Sequence, residues 1–343
     1  MHSAQYVGNR TVQVRPADPT QPGAGEVRIR VAYVGLCGTD LHIVHGHMDQ
    51  RVTRPLMFGH EMSGTIEAVG AHVTGWAVGD RVTVMPLDWD GTCPACLAGN
   101  EHICQNLNFI GIDSPGALQQ LWNVPADTLV ALPPSLSLDV AALVEPVAVA
   151  VHDVRRSELT DGDKVVVFGG GPIGLLIASV AREHGADVVL VEPDTNRRVL
   201  IDELGITTLD PSHIDLVEWV EEWTGGAGAD VVFEVSGAAA AVRSATSLAK
   251  VRGTVVVVAI HSVPREVDLQ RVFWRELRLL GARVYQRADF DEAVRLLHAG
   301  SIPTAAVITD VVGIDRIADA ISQLETGRAM KLLVDVQSIG GAL

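Results

Sequence analysis

Residues 163–174 read DKVVVFGGGPIG, and their order decides the fold. Lys164, Val165, Val166, Val167 and Phe168 make a short run suited to a strand buried on both faces. Three glycines follow at G-x-G-x-x-G spacing: Gly169, Gly171 and Gly174. Pro172 suits a first helical turn, and Ile173, Leu176, Ile177 and Val180 then recur at helical spacing. A strand, a glycine turn and a helix in that order predict a dinucleotide-phosphate site. The first glycine permits the tight turn, the second lets backbone approach the pyrophosphate, and the third lets helix and strand pack closely. The helix N-terminus faces the anion. Gly169, Gly171, Pro172, Ile173 and Gly174 are therefore the expected cofactor contacts.

The second half of the fingerprint lies downstream. Gly185 is placed to end the helix, and residues 187–191 form a second apolar strand that ends at Glu192. An acidic side chain about 20 residues past the glycines accepts hydrogen bonds from a ribose diol and repels a 2′-phosphate. Glu192 thus favours NAD over NADP. Arg197 and Arg198 follow closely and are placed to soften that preference.

At 343 residues, with 48% hydrophobic residues, the chain is long enough for two domains with sizeable cores. A formal net charge of −16 disfavours a nucleic-acid partner. No apolar run is long enough for a membrane span. The opening MHSAQYVGNR lacks the apolar region of a signal peptide, so a cytoplasmic protein with reduced thiols is expected. Its four cysteines then need an explanation other than disulfides.

Residues 1 to about 145 read as β-rich, with short apolar runs at 27–34, 64–69 and 81–86 between glycine and proline turns, the pattern of a small barrel. A helix is predicted over 138–151. Strands at 165–168, 188–191, 230–235, 254–260 and 277–281 then alternate with helices around 173–184, 213–223 and 238–251. That alternation predicts parallel strands with crossover helices. Beyond about 283, helices are predicted at 290–299 and 314–326 and a strand at 331–336, a tail that returns to the first domain. The expected division is 1–147 with 284–343, and 148–283 between them.

Cys93, Cys96 and Cys104 cluster in DGTCPACLAGNEHIC, and C-x-x-C spacing lets two thiolates reach one tetrahedral ion. Asp90, one further three-residue step back, is also an acceptable zinc ligand. These four would make a closed, structural site. Cys37 stands in VGLCGTDLH, and His60 and Glu61 in GHE. Cys37, His60 and a carboxylate would give zinc three mixed ligands and one open position. Neighbours on a regular strand point to opposite faces, so either Gly59 allows a bend or Glu61 stands behind the ligands. Glu145, before Pro146, is a further carboxylate candidate.

GLCGTDLH at 35–42, GHE at 59–61, GDRV at 79–82, the 90–104 loop, EPVAVAVH at 145–152 and GGGPIG at 169–174 together resemble the zinc-dependent medium-chain dehydrogenases. The likeness is greatest to the polyol branch of sorbitol, butanediol and threonine dehydrogenases, and covers essentially the whole chain. It implies an α/β fold, a Rossmann doubly wound parallel sheet inserted into a GroES-like β-barrel catalytic domain. It implies Cys37 and His60 as catalytic zinc ligands, with Glu61 and Glu145 in the two carboxylate positions. It implies hydride transfer between a secondary alcohol (a diol, sugar alcohol, cyclitol or amino alcohol) and NAD. Thr39 would take the alcohol proton, and His42 would pass it on through its imidazole. A homotetramer or homodimer is implied as well.

Two departures stand out. The family usually carries cysteine where Asp90 stands, and Ile43 replaces an aromatic residue of the sorbitol enzymes, so sorbitol itself is disfavoured. The competing readings are a zinc-free quinone or enone reductase of the same fold and a non-catalytic nucleotide-binding protein.

Overall fold

The computed structural model describes residues 1–327 and 329–340. The chain divides into two compact units. One holds residues 1–145, 286–300 and the chain from 304 onward; the other holds 146–285 and 301–303.

In the second unit, the valine-rich run became the strand Lys164–Phe168 at the centre of a six-stranded sheet. Its neighbours are Asp187–Val191 on one side and Ala229–Glu234 on the other, both parallel to it. Thr207–Leu209 closes one edge, and Ala249–Val257 and Arg278–Gly281 complete the other, again all parallel. Numbered along the chain, the spatial order is 3-2-1-4-5-6, the order of a Rossmann sheet. Val165, Val166 and Val167 are fully buried, as a strand covered on both faces requires.

Several elements differ from the sequence expectation. The helix predicted over 138–151 is two helices, Leu138–Ala141 and Val144–Ser157. Pro146 accounts for the break. It has no N–H to give the Ala142 carbonyl, and its ring would clash there, whereas a first helical turn tolerates it. The helix expected to reach 251 stops at Leu248, and the next strand begins at Ala249 and ends at Val257, not 260. The helices Thr195–Glu203 and Leu269–Arg275 and the strands Thr207–Leu209 and Ile308–Gly313 had no expectation.

The first unit is built on a seven-stranded sheet. The strand Glu26–Gly35 lies inside it, antiparallel to Glu61–Val69, to Leu121–Pro125 and to Lys331–Asp335. The C-terminal strand therefore sits directly beside the segment that leads into Cys37. Arg81–Val84 and Leu129–Ala131 extend one side, and Ile308–Gly313 the other. A separate three-stranded sheet joins His2–Gly8, Thr11–Pro16 and Leu56–Met57. Among the described residues no helix is long and apolar enough to cross a membrane.

Candidate active site

The glycine turn behaves as three distinct positions. Gly169 has φ +104°, and an added Cβ would press on Ser236. At Gly174 an added Cβ would overlap the Gly169 carbonyl oxygen, so turn and helix can close up only without a side chain. Gly171 caps the helix Pro172–Glu183, and a Cβ there would meet only Arg197 Nη1 at 3.9 Å. Its open side leaves room for a ligand to approach the backbone. Pro172 opens the helix and Ile173 follows it, half-buried.

Glu192 ends its strand beside this turn and is buried. One carboxylate oxygen accepts the Gly170 N–H at 2.7 Å and the other the Asp194 N–H at 2.8 Å. Arg197 Nη1 lies 3.7 Å from Glu192 Oε2. Arg198 is committed elsewhere, to Asp210 at 2.9 Å and the Glu192 carbonyl at 2.9 Å.

In the other unit, Cys37 precedes the short helix Gly38–Val44, and its N–H donates to Asp40 Oδ2 at 2.9 Å. That bond fixes the backbone that carries the thiol. Gly59 takes φ +94°, and His60 lies just before the strand that starts at Glu61, so strand alternation does not separate the two. Cys37, His60 and Glu61 each offer one donor atom, all within 4.8 Å of one another. Glu145 is not a member of that group, but it is buried and its negative charge reaches His60.

The electrostatics call for a cation. Burial lowers the His60 pKa, but the hydrogen bond to Cys37 and the charges of Asp40, Cys37 and Glu145 outweigh it and push it up to about 10. Burial likewise raises the Asp40 carboxyl to about 6, against the pull of His60. His60 Nδ1 and Asp40 Oδ1 are buried without a hydrogen-bond partner, 3.8 Å apart. The other His60 contact is the edge of Phe109, with ring centroids 5.4 Å apart. A thiol, an imidazole and a carboxylate gathered around an unpartnered ring nitrogen fit a zinc ion with an open position.

Thr39 and His42 stand three residues apart on the short helix, on one face. Thr39 is half-buried and His42 exposed. His42 Nδ1 lies 3.2 Å from His47 Nδ1, and His45 pairs with Glu325. Partial burial, then the neighbouring His47 and His45, hold the His42 pKa below the ordinary imidazole value.

Asp90, Cys93, Cys96 and Cys104 form a second group of donors within 4.8 Å. The Sγ of Cys93 lies 3.5 Å from that of Cys96 and 3.8 Å from that of Cys104. Gln105 N–H donates to the Cys93 sulfur at 3.4 Å and Asn106 N–H to the Cys104 sulfur at 3.3 Å, which suits thiolates. Without an ion, burial and the neighbouring thiols push Cys96 up to about 12. Asp90 accepts hydrogen bonds from Asn106, Cys93 and Thr92, in that order of effect, which hold its carboxyl well below the usual range.

Sequence reading missed Lys331. It is 2% exposed, and its ammonium donates to both oxygens of Glu61, each at 2.7 Å, and to the Leu36 carbonyl at 3.2 Å. Burial lowers its pKa, but the charges of Glu61, Cys37 and Glu145 more than restore it. One signal was available: a lysine in the otherwise apolar run AMKLLV needs a buried partner.

Residues 23–134 match the alcohol dehydrogenase GroES-like domain, and residues 172–299 the zinc-binding dehydrogenase family. The chain is 51% identical to 2-dehydro-3-deoxy-L-galactonate 5-dehydrogenase of Pseudoalteromonas atlantica, over 98% of both chains. It is 34% identical to sorbitol dehydrogenase of Halalkalibacterium halodurans, covering 95% of this chain and 96% of that one. A zinc-binding dehydrogenase of Sinorhizobium meliloti, solved with NADP, superposes with a TM-score of 0.92 at 33% identity, over 97% and 98% of the two chains. The chain belongs to the zinc-dependent medium-chain dehydrogenase family, in its polyol branch. It is a zinc-dependent oxidoreductase of alcohols and polyols that works with a nicotinamide dinucleotide on a small-molecule substrate.

Proposed function

We propose that the chain oxidises a secondary hydroxyl of an acyclic, polyhydroxylated substrate of the sugar-acid type, with NAD as hydride acceptor. The observation that carries this reading is the buried meeting of Cys37, His60 and Glu61 within 4.8 Å. Cys37 and His60 hold the catalytic zinc, with Glu61 and Glu145 as the carboxylates around it. Asp90, Cys93, Cys96 and Cys104 hold a structural ion. The sugar-acid class rests on the 51% identity with an enzyme named for such a substrate. The zinc-free reductase is disfavoured because both donor groups are present.

When bound, zinc supplies Lewis acidity that eases removal of a hydroxyl proton, and NAD supplies the hydride acceptor. The protein's own residues manage that proton. Thr39 hydroxyl accepts it and His42 receives it, with a pKa low enough for the ring to be neutral and ready at neutral pH. Asp40 keeps the Cys37 backbone in place through its hydrogen bond. Glu192 accepts the ribose diol and disfavours a 2′-phosphate, while Gly171 and the helix after it receive the pyrophosphate.

A homotetramer is part of the same reading, and so is a cytoplasmic location. The second unit leaves Phe273 and Trp274 72% and 73% exposed, near the outermost strand Arg278–Gly281, whose outer edge has no partner in the sheet. Exposed aromatics beside an open strand edge favour self-association. The test of function is NADH formation over a panel of 3-deoxy sugar acids, alditols, vicinal diols and amino alcohols. The highest kcat/KM is expected for the sugar acids; a simple diol ahead of them contradicts the substrate class.

A further inference from the structure

Three strands meet where Glu61 finds Lys331. Gly35 lies opposite Glu61 on one side, and opposite Leu333 on the other. Glu61 and Lys331 are thus on strands that do not pair with each other, and the strand between them carries glycine at the crossing. An added Cβ at Gly35 would overlap Glu61 Oε2. The missing side chain is the passage through which the carboxylate reaches across to the lysine. The ammonium is held in turn by the Leu36 carbonyl at 3.2 Å, one residue before Cys37. Glu61 and Lys331 are 1% and 2% exposed.

We propose that Lys331 is a positioning residue that clamps Glu61 across Gly35 and so restrains it from closing the coordination of the metal held by Cys37 and His60. The proposal rests on the reading of that group as the catalytic zinc site. The physical argument is competition for one carboxylate. Both oxygens of Glu61 already accept a charge-assisted hydrogen bond at 2.7 Å. A buried carboxylate must be matched by a buried cation, and here two cations compete for it: the lysine and the zinc. While the lysine holds it, Glu61 contributes negative charge beside the metal without occupying the position a substrate hydroxyl needs. Glu145, which belongs to a helix turn and not to this clamp, is the carboxylate left to serve as a protein ligand. Remove the ammonium, and Glu61 has only the metal to turn to.

The experiment measures zinc affinity by chelator competition, taking the Cys37→Ser protein as the reference for ions bound elsewhere. Wild type, Lys331→Met, Glu61→Gln and the double variant are compared, with melting temperatures alongside. Lys331→Met is expected to bind zinc about tenfold more tightly, within the range by which groups behind metal ligands alter affinity. Its kcat is expected to fall, because the open position is lost. In the Glu61→Gln background the same substitution is expected to leave affinity within about threefold, since the clamped carboxylate is gone. Equal tightening in both backgrounds overturns the proposal, because it means simple repulsion between ammonium and zinc. Weaker zinc binding in folded Lys331→Met overturns it too, because the lysine would then be orienting Glu61 toward the ion. A Lys331→Met protein that folds only with zinc present supports the clamp, since Glu61 has exchanged one cation for the other. Failure to fold even with zinc, for both Lys331→Met and Lys331→Gln, makes the lysine a fold element only and sinks the proposal. Absence of any Cys37-dependent zinc in the wild type instead refutes the functional reading beneath it.

Discussion

Glu192 Oε2 accepts the N–H of Gly170 at 2.7 Å, so the acidic end of one strand holds the glycine turn that follows its neighbour. The two halves of the dinucleotide fingerprint are thereby one object. Replacing Glu192 by alanine removes both the ribose acceptor and the anchor of the turn. Hydrogen bonds to charged groups contribute about 1.5–3 kcal/mol, so kcat/KM for NAD is expected to fall about ten- to a hundredfold. With Arg197 already 3.7 Å from the lost carboxylate, kcat/KM for NADP should fall less or rise. Steady-state kinetics with both cofactors measure this, and an unchanged NAD to NADP ratio would contradict the assignment.

Gly171 and Gly174 make a paired test of packing against ligand approach. Gly174→Ala forces a methyl group into the Gly169 carbonyl and should cost about 1–3 kcal/mol of stability, as overpacked sites do. Gly171 has φ −73° and open space, so Gly171→Ala should keep its melting temperature. It should nevertheless bind NADH more weakly, seen as reduced enhancement of cofactor fluorescence.

The Asp90 group holds an ion through one oxygen and three sulfurs. Asp90→Cys would supply a fourth soft donor, and zinc retention by this loop in the presence of a chelator should lengthen. Asp90→Ala should shorten it and lower the temperature at which the loop becomes open to protease. The Cys37-dependent ion is the internal control and should leave at the same rate in all three proteins.

His42 is crowded by His45 and His47, with Glu325 paired to His45. Its pKa is depressed, so the proton-accepting form persists to a lower pH than for a free imidazole. The acid limb of kcat for alcohol oxidation should therefore lie below the ordinary histidine value. Replacing His47 by glutamine removes a like charge, so that limb should move upward. His42→Ala should slow oxidation more at neutral than at alkaline pH, where hydroxide takes the proton instead. A loss uniform across pH would remove His42 from the proton path.

Much of this molecule is legible in its sequence because its decisive patterns are local. The valine run, three glycines and Glu192 all lie within one strand–helix–strand unit, and the cysteines of the 90–104 loop are neighbours in the chain. What escaped reading was either weakly patterned or distant. The helix Thr195–Glu203 is mostly polar, and its start is marked chiefly by Asp194, which accepts the Arg197 N–H at 3.0 Å. The Pro146 break was visible in the residues, yet the apolar run on both sides of it suggested one continuous helix. Lys331 lies 270 positions from Glu61, and only the sheet order, with Gly35 between them, brings the pair together. His60 and Glu61 could not be placed from alternation, because that depends on where the strand begins, and Gly59 decides it.

The most direct test is the zinc content of purified Cys37→Ser and His60→Ala proteins against wild type, by elemental analysis, with NADH binding measured on the same samples. Each variant is expected to lose the same share of its zinc and nearly all alcohol oxidation, while keeping the loop ion and full NADH affinity. Wild-type zinc content in either variant, with turnover intact, would contradict the claim that this thiolate and this imidazole hold the catalytic ion.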